Sequence, residues 1–170
     1  MNPDLFWIPG PWRGRLAVAT RPRGGDWLED EAAGWRRAGL DVVVSLLENE
    51  EAAQLELIHE GDAAESNGIA FISFPIPDCG VPASMPAALS LLRRIVETLE
   101  DGKNVAVHCR QGIGRSGLIA AGVLTSSGIG AGKAIEAVST ARGLAVPETQ
   151  VQLQWIHRLP LEHPVVTSSR

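Results

Sequence analysis

The sequence contains no tyrosine, only two cysteines and no long apolar run. Cys79 and Cys109 are too few for a disulfide framework, so we expect an intracellular, reduced chain. No apolar stretch approaches the roughly 20 residues that a membrane helix needs, and the first residues lack the pattern of a signal peptide. The net charge of −5 gives no basic footprint for nucleic acid or an anionic membrane. These absences predict a cytoplasmic chain with neither nucleic acid nor membrane as a partner.

The pattern of apolar residues indicates one α/β domain over residues 1–170. Runs rich in β-branched residues predict four strands, and apolar residues at helical spacing predict six helices. The predicted strands cover 15–20, 41–47, 70–76 and 104–109, and the predicted helices cover 27–39, 48–62, 85–102, 116–128, 131–143 and 148–159. Because no strand separates the last three helices, we expect a central mixed sheet with a helical bundle closing the C-terminal half.

A glycine-rich turn follows the fourth predicted strand, in the stretch NVAVHCRQGIGRSG at residues 104–117. In a strand–turn–helix unit, backbone N–H groups converge on one point and the helix N-terminus adds positive potential there. That field would stabilise a thiolate at Cys109, so we expect a lowered pKa. Arg115 offers a planar pair of donors for two phosphate oxygens, and Ser116 can donate a hydrogen bond to the sulfur. These residues predict covalent phosphoryl transfer.

Two other interpretations of this turn are open. Residues 112–117 match the G-x-G-x-x-G pattern of dinucleotide-binding folds, but too few residues follow for the βαβαβ unit that this pattern opens. Alternatively, Cys109 is a buried core cysteine and Arg115 forms a surface salt bridge. The arginine and the two glycines, Gly112 and Gly114, favour the phosphate site at this spacing. Since no cluster of His, Cys and Asp has the spacing of zinc ligands, we expect no metal and no other cofactor.

His108, Cys109, Arg115 and Ser116 match H-C-x₅-R-S/T, the signature of cysteine-based protein tyrosine phosphatases. The chain resembles that superfamily over essentially its whole length and is most similar to small atypical dual-specificity phosphatases. The resemblance implies a tyrosine-phosphatase-like single domain with a Cys-x₅-Arg phosphate loop between a strand and a helix. We expect His108 to order that loop through hydrogen bonds. The residues expected to bind phosphate are Arg110, Gln111, Gly112, Ile113, Gly114 and Arg115.

Asp78 is the candidate general acid, because a leaving oxygen needs a proton donor near it. It lies in FPIPDCGVP, residues 74–82, which resembles the W-P-D-x-G-V-P acid loop of larger tyrosine phosphatases with Ile76 in place of the tryptophan. Without that tryptophan we expect a less mobile loop, and an ordinary turn aspartate is the alternative. For the neighbouring Cys79, a loop cysteine without a role is the default, and a redox partner of Cys109 is the alternative.

Near the C-terminus the chain resembles the segment that brings a glutamine close to the attacking water in these phosphatases. Glu148, Thr149 and Gln152 match its E/Q-T-x-x-Q pattern, so Gln152 is the candidate for positioning water. Gln150 and Gln154 are the alternatives, and the polar face of an amphipathic helix would explain the same residues.

Three further polar residues have predicted places. We expect Arg142 to be structural and His59 to lie on a helix surface. Glu48 either pairs with an arginine of the phosphate loop or begins a capped helix.

Together, these residues and the resemblance predict a metal-independent hydrolase that removes phosphate from phosphotyrosine in proteins, with phosphoserine and phosphothreonine as further candidates. Because Arg110, Gln111 and Ile113 include no lysine, a phosphorylated protein or peptide is favoured over a phosphoinositide. The absence of tyrosine favours a shallow pocket and dual specificity. The alternatives are a phosphate-recognising module of the same fold without turnover, and a phosphatase that acts on a non-protein ester. The oligomeric state is not predicted.

Overall fold

The computed structural model describes residues 3–160, which form a five-stranded mixed sheet with helices on both faces. The strands are β1 Leu5–Ile8, β2 Leu16–Ala19, β3 Val42–Ser45, β4 Ala70–Ser73 and β5 Val105–His108. A 3₁₀ turn at Gly25–Trp27 precedes the first helix. The helices are α1 Leu28–Arg37, α2 Asn49–Gln54, α3 Glu60–Ser66, α4 Met85–Glu100, α5 Gly114–Ser126, α6 Ala131–Arg142 and α7 Gln150–His157.

The strand order is β1-β2-β5-β3-β4, and only β1 runs antiparallel to its neighbour. The central strand β5 places His108 opposite Ala19 of β2 and Ser45 of β3. Since the four parallel strands end at the same edge, the segments after β3, β4 and β5 meet there. In parallel sheets, ligands bind beyond this carboxyl edge, so a ligand-binding site is expected there.

The strands β2, β3 and β5 are buried along their whole length because helices cover both faces of the sheet. Side chains alternate along β5, so Val105 and Val107 join one core cluster and Ala106 joins the other. The first cluster includes residues of α4, α5, α6 and α7, and the second includes residues of α1 and α3. Helix α5 is buried on nearly all sides, which holds the preceding loop against a rigid element.

The predicted mixed sheet flanked by helices is confirmed, and the four predicted strands correspond to β2–β5 with trimmed ends. The prediction of one helix over 48–62 is wrong, because the chain breaks between α2 and α3, where Glu56 adopts a left-handed φ of 57°. The four-residue edge strand β1 was not predicted. Within residues 3–160, no helix has both the length and the apolar content to span a membrane.

Candidate active site

Three segments at the carboxyl edge of the sheet surround one cavity of about 140 Å³. They are the loop after β4, the loop between β5 and α5, and the segment before α7. The residues that line the cavity are Asp78, Cys79, Cys109, Arg110, Gln111, Gly114, Arg115 and Glu148. The fold therefore brings the candidate nucleophile, the candidate acid and the loop arginine together from positions that are distant in the sequence.

Cys109 follows β5 directly and is only 3% exposed. Burial opposes ionisation of the thiol, but hydrogen bonds from the Ser116 hydroxyl and from the N–H groups of Ser116, Gly112 and Gln111 outweigh it. The net effect lowers the pKa of Cys109 below its ordinary value of 9.0. The buried Ser116 hydroxyl bonds no protein oxygen or nitrogen among the described residues, so its proton is free for the sulfur. The thiol is thus easier to ionise at this position than an ordinary cysteine.

The phosphate loop, residues 109–115, turns sharply at Gly112. This residue has a φ of +71°, and a Cβ added to it would lie 2.9 Å from the carbonyl oxygen of Ala19. Both facts require glycine here. Helix α5 then begins at Gly114, so its first N–H groups and the positive end of its dipole face the cavity. The two predicted phosphate-loop residues that do not line the cavity, Gly112 and Ile113, form this turn.

Arg115 is 2% exposed, and its guanidinium is held in a fixed plane by Glu51. Nη1 donates to one Glu51 carboxylate oxygen at 2.7 Å, and Nη2 donates to the other at 2.9 Å. Nη1 also donates to the carbonyl oxygen of Ile76 at 2.9 Å. Burial alone would lower the pKa of Arg115, but the hydrogen bonds and charge of Glu51 raise it. Glu51 therefore keeps the arginine charged and fixes its orientation.

Glu51, the partner of Arg115, is a functional residue that was not predicted from the sequence. Of the two interpretations of Glu48, the helix cap is the one found, because its side chain accepts from a backbone N–H of α2. Glu51 completes this capping box by accepting from the Glu48 N–H at 2.9 Å, and the same carboxylate binds Arg115. In a capping box the third helical residue turns back to the N-cap N–H, so the sequence signal places the Glu51 carboxylate at the start of α2 but does not show that Arg115 lies there.

Asp78 reaches the cavity from the loop after β4. One oxygen of its carboxylate, Oδ1, lies 3.3 Å from Nη2 of Arg115 and accepts from the N–H of Cys79 at 3.0 Å. The Asp78 side chain is 63% exposed, so a departing group can approach it. Cys79 is exposed, has a left-handed φ of 59° and lines the same cavity.

His108 and Arg142 contact the phosphate loop from outside the cavity. The fully buried His108 bonds the Cys109 carbonyl oxygen through Nδ1 at 3.2 Å, which supports its predicted role in ordering the loop. Arg142 donates to the carbonyl oxygens of Gly112 at 2.9 Å and Gln111 at 3.3 Å. Since Arg142 binds backbone rather than facing the cavity, these contacts agree with a structural role.

The structure places Gln152 behind the cavity wall. It is fully buried, its Oε1 accepts from the Thr149 N–H at 3.2 Å, and its Nε2 donates to the Gly80 carbonyl at 3.0 Å. The residue of the same pattern that lines the cavity is Glu148, beside Gly114 of the phosphate loop. The alternatives considered for Gln152, residues 150 and 154, are exposed. A role for Gln152 in positioning water therefore stays a prediction.

The exposed His59 immediately precedes α3 and lies 3.4 Å from Asp62 on the surface of that helix, which agrees with the prediction. Among residues 3–160, no three His, Cys, Asp or Glu side chains are grouped so that they could hold a metal ion.

Comparisons with known proteins point to phosphatases, which agrees with the cysteine, arginine and acid that line the cavity. The family model described as "Polymorphic toxin system, DSP-PTPase phosphatase" matches residues 17–129. The putative tyrosine phosphatase 197R of Invertebrate iridescent virus 6 is 29% identical, and the match covers 91% of this chain and 56% of the viral protein. The chain spans about half the length of the curated relatives it matches.

Two solved structures share the fold across nearly the whole chain. Tk-PTP in its active form is 33% identical, and the match covers 94% of this chain and 100% of that one with a TM-score of 0.72. Kinase associated phosphatase, with serine replacing its catalytic-site cysteine, is 18% identical. That match covers 92% of this chain and 93% of the other with a TM-score of 0.81, and at this identity it shows the fold alone.

Proposed function

The chain belongs to the DSP-PTPase phosphatase family, and we propose that it hydrolyses phosphate monoesters on protein side chains through a phosphocysteine intermediate at Cys109. The observation that carries this proposal is the single cavity lined by Cys109, Arg115 and Asp78. A nucleophile, a phosphate-binding cation and a proton donor are the groups that this chemistry requires. One sheet with its two helical layers supports the assignment of a single catalytic domain.

In the first step the Cys109 thiolate attacks phosphorus, the S–P bond forms, and the bond to the leaving oxygen breaks. Arg115 and the N–H groups of the phosphate loop hold the three remaining oxygens, whose charge is shared among these donors. Asp78 gives its proton to the leaving oxygen, so the product departs as an alcohol or phenol. The exposure of Asp78 at the cavity mouth supports this role, because the leaving group must lie there.

In the second step water attacks the phosphocysteine while the Asp78 carboxylate takes a proton from it. The sulfur leaves as a thiolate, and the hydrogen bond from Ser116 stabilises the charge that develops on it. Gln152 is the predicted positioning residue for water. The hydrogen bond from Gln152 to the Gly80 carbonyl supports an indirect role, in which Gln152 holds the acid loop in place. Glu148, from the same segment, is the side chain that lines the cavity.

The charges around the cavity support a phosphorylated protein or peptide as the substrate. Apart from Arg115, the only cation among the lining residues is Arg110, and it is opposed by the carboxylates of Asp78 and Glu148. A polyphosphorylated head group would meet these carboxylates, whereas a peptide carries a single phosphate. Phosphotyrosine is the first candidate, and phosphoserine and phosphothreonine follow from the expected shallow pocket. The low cysteine content favours a cytoplasmic place of action.

The experiment that tests this function measures phosphate release from one peptide prepared in phosphotyrosine and phosphothreonine forms, with a chelator present. We expect release from both forms by the parent chain and none by Cys109→Ser, which should still bind orthovanadate. Release from phosphotyrosine alone would restrict the substrate class. Ordinary turnover by Cys109→Ser would contradict the phosphocysteine step. Release from neither form by the parent, with vanadate still bound, would favour a phosphate-recognising module.

A further inference from the structure

A buried pair of ionisable side chains, Glu60 and His108, lies behind the phosphate loop and takes no part in the proposed chemistry. Glu60 begins α3 and is 2% exposed, and His108 ends β5 and is fully buried. The Glu60 carboxylate is hydrogen-bonded to Nε2 of His108. Removing two such groups from water is unfavourable unless each is well satisfied. The pair is one peptide bond away from the candidate nucleophile, so it can influence the conformation of the phosphate loop.

The two acceptors around the His108 ring decide where its hydrogens are. Nε2 faces the Glu60 carboxylate, and Nδ1 faces the carbonyl oxygen of Cys109 at 3.2 Å. A carbonyl oxygen can only accept, so this contact is a hydrogen bond only when Nδ1 carries a hydrogen. Burial opposes the charged ring, but the charge and the hydrogen bond of Glu60 outweigh it and raise the pKa of His108 above 6.5.

Burial favours a Glu60–His108 pair with no net charge. Such a pair holds either a carboxylate and an imidazolium or a carboxylic acid and a neutral imidazole. In the second form the acid donates to Nε2, so the one ring hydrogen is on Nδ1. Nδ1 therefore keeps its hydrogen in both forms, and the tautomer whose bare Nδ1 would face the Cys109 carbonyl is excluded.

The Cys109 carbonyl belongs to the peptide that opens the phosphate loop. Because a trans peptide is planar, fixing its oxygen on the His108 side also fixes the direction of the Arg110 N–H. The next N–H groups of the loop, at Gln111 and Gly112, already bond the Cys109 sulfur. The orientation of this first peptide therefore bears on how the whole loop presents its donors to an oxyanion.

We propose that Glu60 is a positioning residue for the phosphate loop. Acting through Nε2 of His108, it anchors the imidazole so that the Nδ1–H group holds the Cys109–Arg110 peptide in the orientation that binds an oxyanion. Glu60 from α3 and the Cys109 sulfur are the charged groups that act on the imidazole. Strands β2 and β3 place uncharged residues opposite it, and α1 packs the Trp35 ring 6.2 Å from its centre. This inference rests on the proposed function of the loop.

The test compares Glu60→Gln with Glu60→Leu and uses Glu65→Gln, an exposed acid of the same helix, as the matched control. The two readouts are the dissociation constant of orthovanadate and the ¹⁵N shifts of the His108 ring. A glutamine amide can donate to Nε2 and leave the hydrogen on Nδ1, so Glu60→Gln should keep an affinity close to that of the parent. Leucine offers no partner, so Glu60→Leu should bind vanadate about tenfold more weakly, the effect of about one hydrogen bond.

The nitrogen shifts should show a hydrogen on Nδ1 in the parent and in Glu60→Gln, and in Glu60→Leu a neutral ring whose Nε2 has lost its hydrogen-bond partner. An unprotonated Nδ1 in the parent at pH 7 would overturn the proposal, and that measurement needs no variant to fold. Equal losses of affinity in Glu60→Gln and Glu60→Leu would also overturn it, because charge or packing would then be responsible. Unchanged affinity in Glu60→Leu would do the same. Neither readout needs turnover, so this proposal and the proposed function can fail separately.

Discussion

Replacing Glu51 with alanine should destabilise the folded chain and weaken oxyanion binding, since the same carboxylate holds Arg115 in place. The two side chains form paired hydrogen bonds of 2.7 and 2.9 Å, and they are 12% and 2% exposed. Without Glu51, the buried guanidinium keeps Asp78 and the backbone carbonyl oxygens of Ile76 and Leu46 as partners. The arginine would then be both less well compensated and less well oriented.

The size of the effect follows from the burial of the pair. Breaking a buried ion pair by removing one partner destabilises a protein by about 3–5 kcal/mol, and the partial exposure of Glu51 places this pair at the lower end. We therefore expect Glu51→Ala to lower the free energy of unfolding by about 3 kcal/mol, including the lost helix cap. With an m-value of about 2 kcal/mol/M in urea, the midpoint should fall by about 1.5 M. Glu51→Gln should lose about half as much, since glutamine still caps the helix.

The assay is urea unfolding of the parent, both variants and Glu50→Ala, an exposed control on the same helix, between pH 7 and pH 4. Arg115 lowers the pKa of Glu51 below its ordinary value of 4.5, although burial opposes the shift. A lowered pKa in the folded state means that its contribution is complete above about pH 4.5 and declines below that value. The difference between parent and Glu51→Ala should therefore shrink toward pH 4. A midpoint shift at pH 7 no larger than that of Glu50→Ala would refute the reasoning.

Three further outcomes are expected at the site. Asp78→Asn should slow hydrolysis of alkyl phosphates by about 10²–10⁴-fold and of activated aryl phosphates much less; equal losses would remove the acid role. Arg142→Ala should weaken vanadate binding by about tenfold in calorimetric titration, because the carbonyls of Gly112 and Gln111 lose their donors; an unchanged affinity would contradict this. Alkylation of Cys109, followed by mass spectrometry, should have its pH midpoint below 9.0, since its thiolate is stabilised; a midpoint at or above that value would refute it.

The sequence predicts the fold well where burial dictates the pattern. Strands β2, β3 and β5 are covered on both faces, and they read as continuous runs of β-branched and small apolar residues. The edge strand β1 is also an apolar run, LFWI, but it is only four residues long, partly exposed and flanked by prolines, so it was not assigned as a strand. Propensity does not predict the break at Glu56, because glutamate does not favour a left-handed φ. Its carbonyl oxygen accepts from the N–H of the distant Gly25 at 3.0 Å.

The site was predictable where one short segment carries the chemistry. Cys109, Arg115 and Ser116 belong to one strand–turn–helix unit, so their spacing fixes their relation. Glu51 and Glu60 reach that unit from α2 and α3, and only the parallel pairing of β3 with β5 brings those helices to the same edge. A sequence pattern does not tell how close two separate elements lie in the fold. For this reason neither acid was predicted as a partner of the phosphate loop.

Contacts at both ends of the acid loop give a physical reason to expect that its mobility is limited. The Ile76 side chain that replaces the tryptophan is fully buried in the core, and its N–H donates to the Leu46 carbonyl at 3.1 Å. Four residues later the Gln152 amide holds the carbonyl of Gly80. Between these two anchors, Asp78 contacts Arg115. Because both ends are tied to the core or to a buried amide, moving Asp78 far from Cys109 would require breaking one of these anchors, whereas small motions of the carboxylate between the leaving group and water would not.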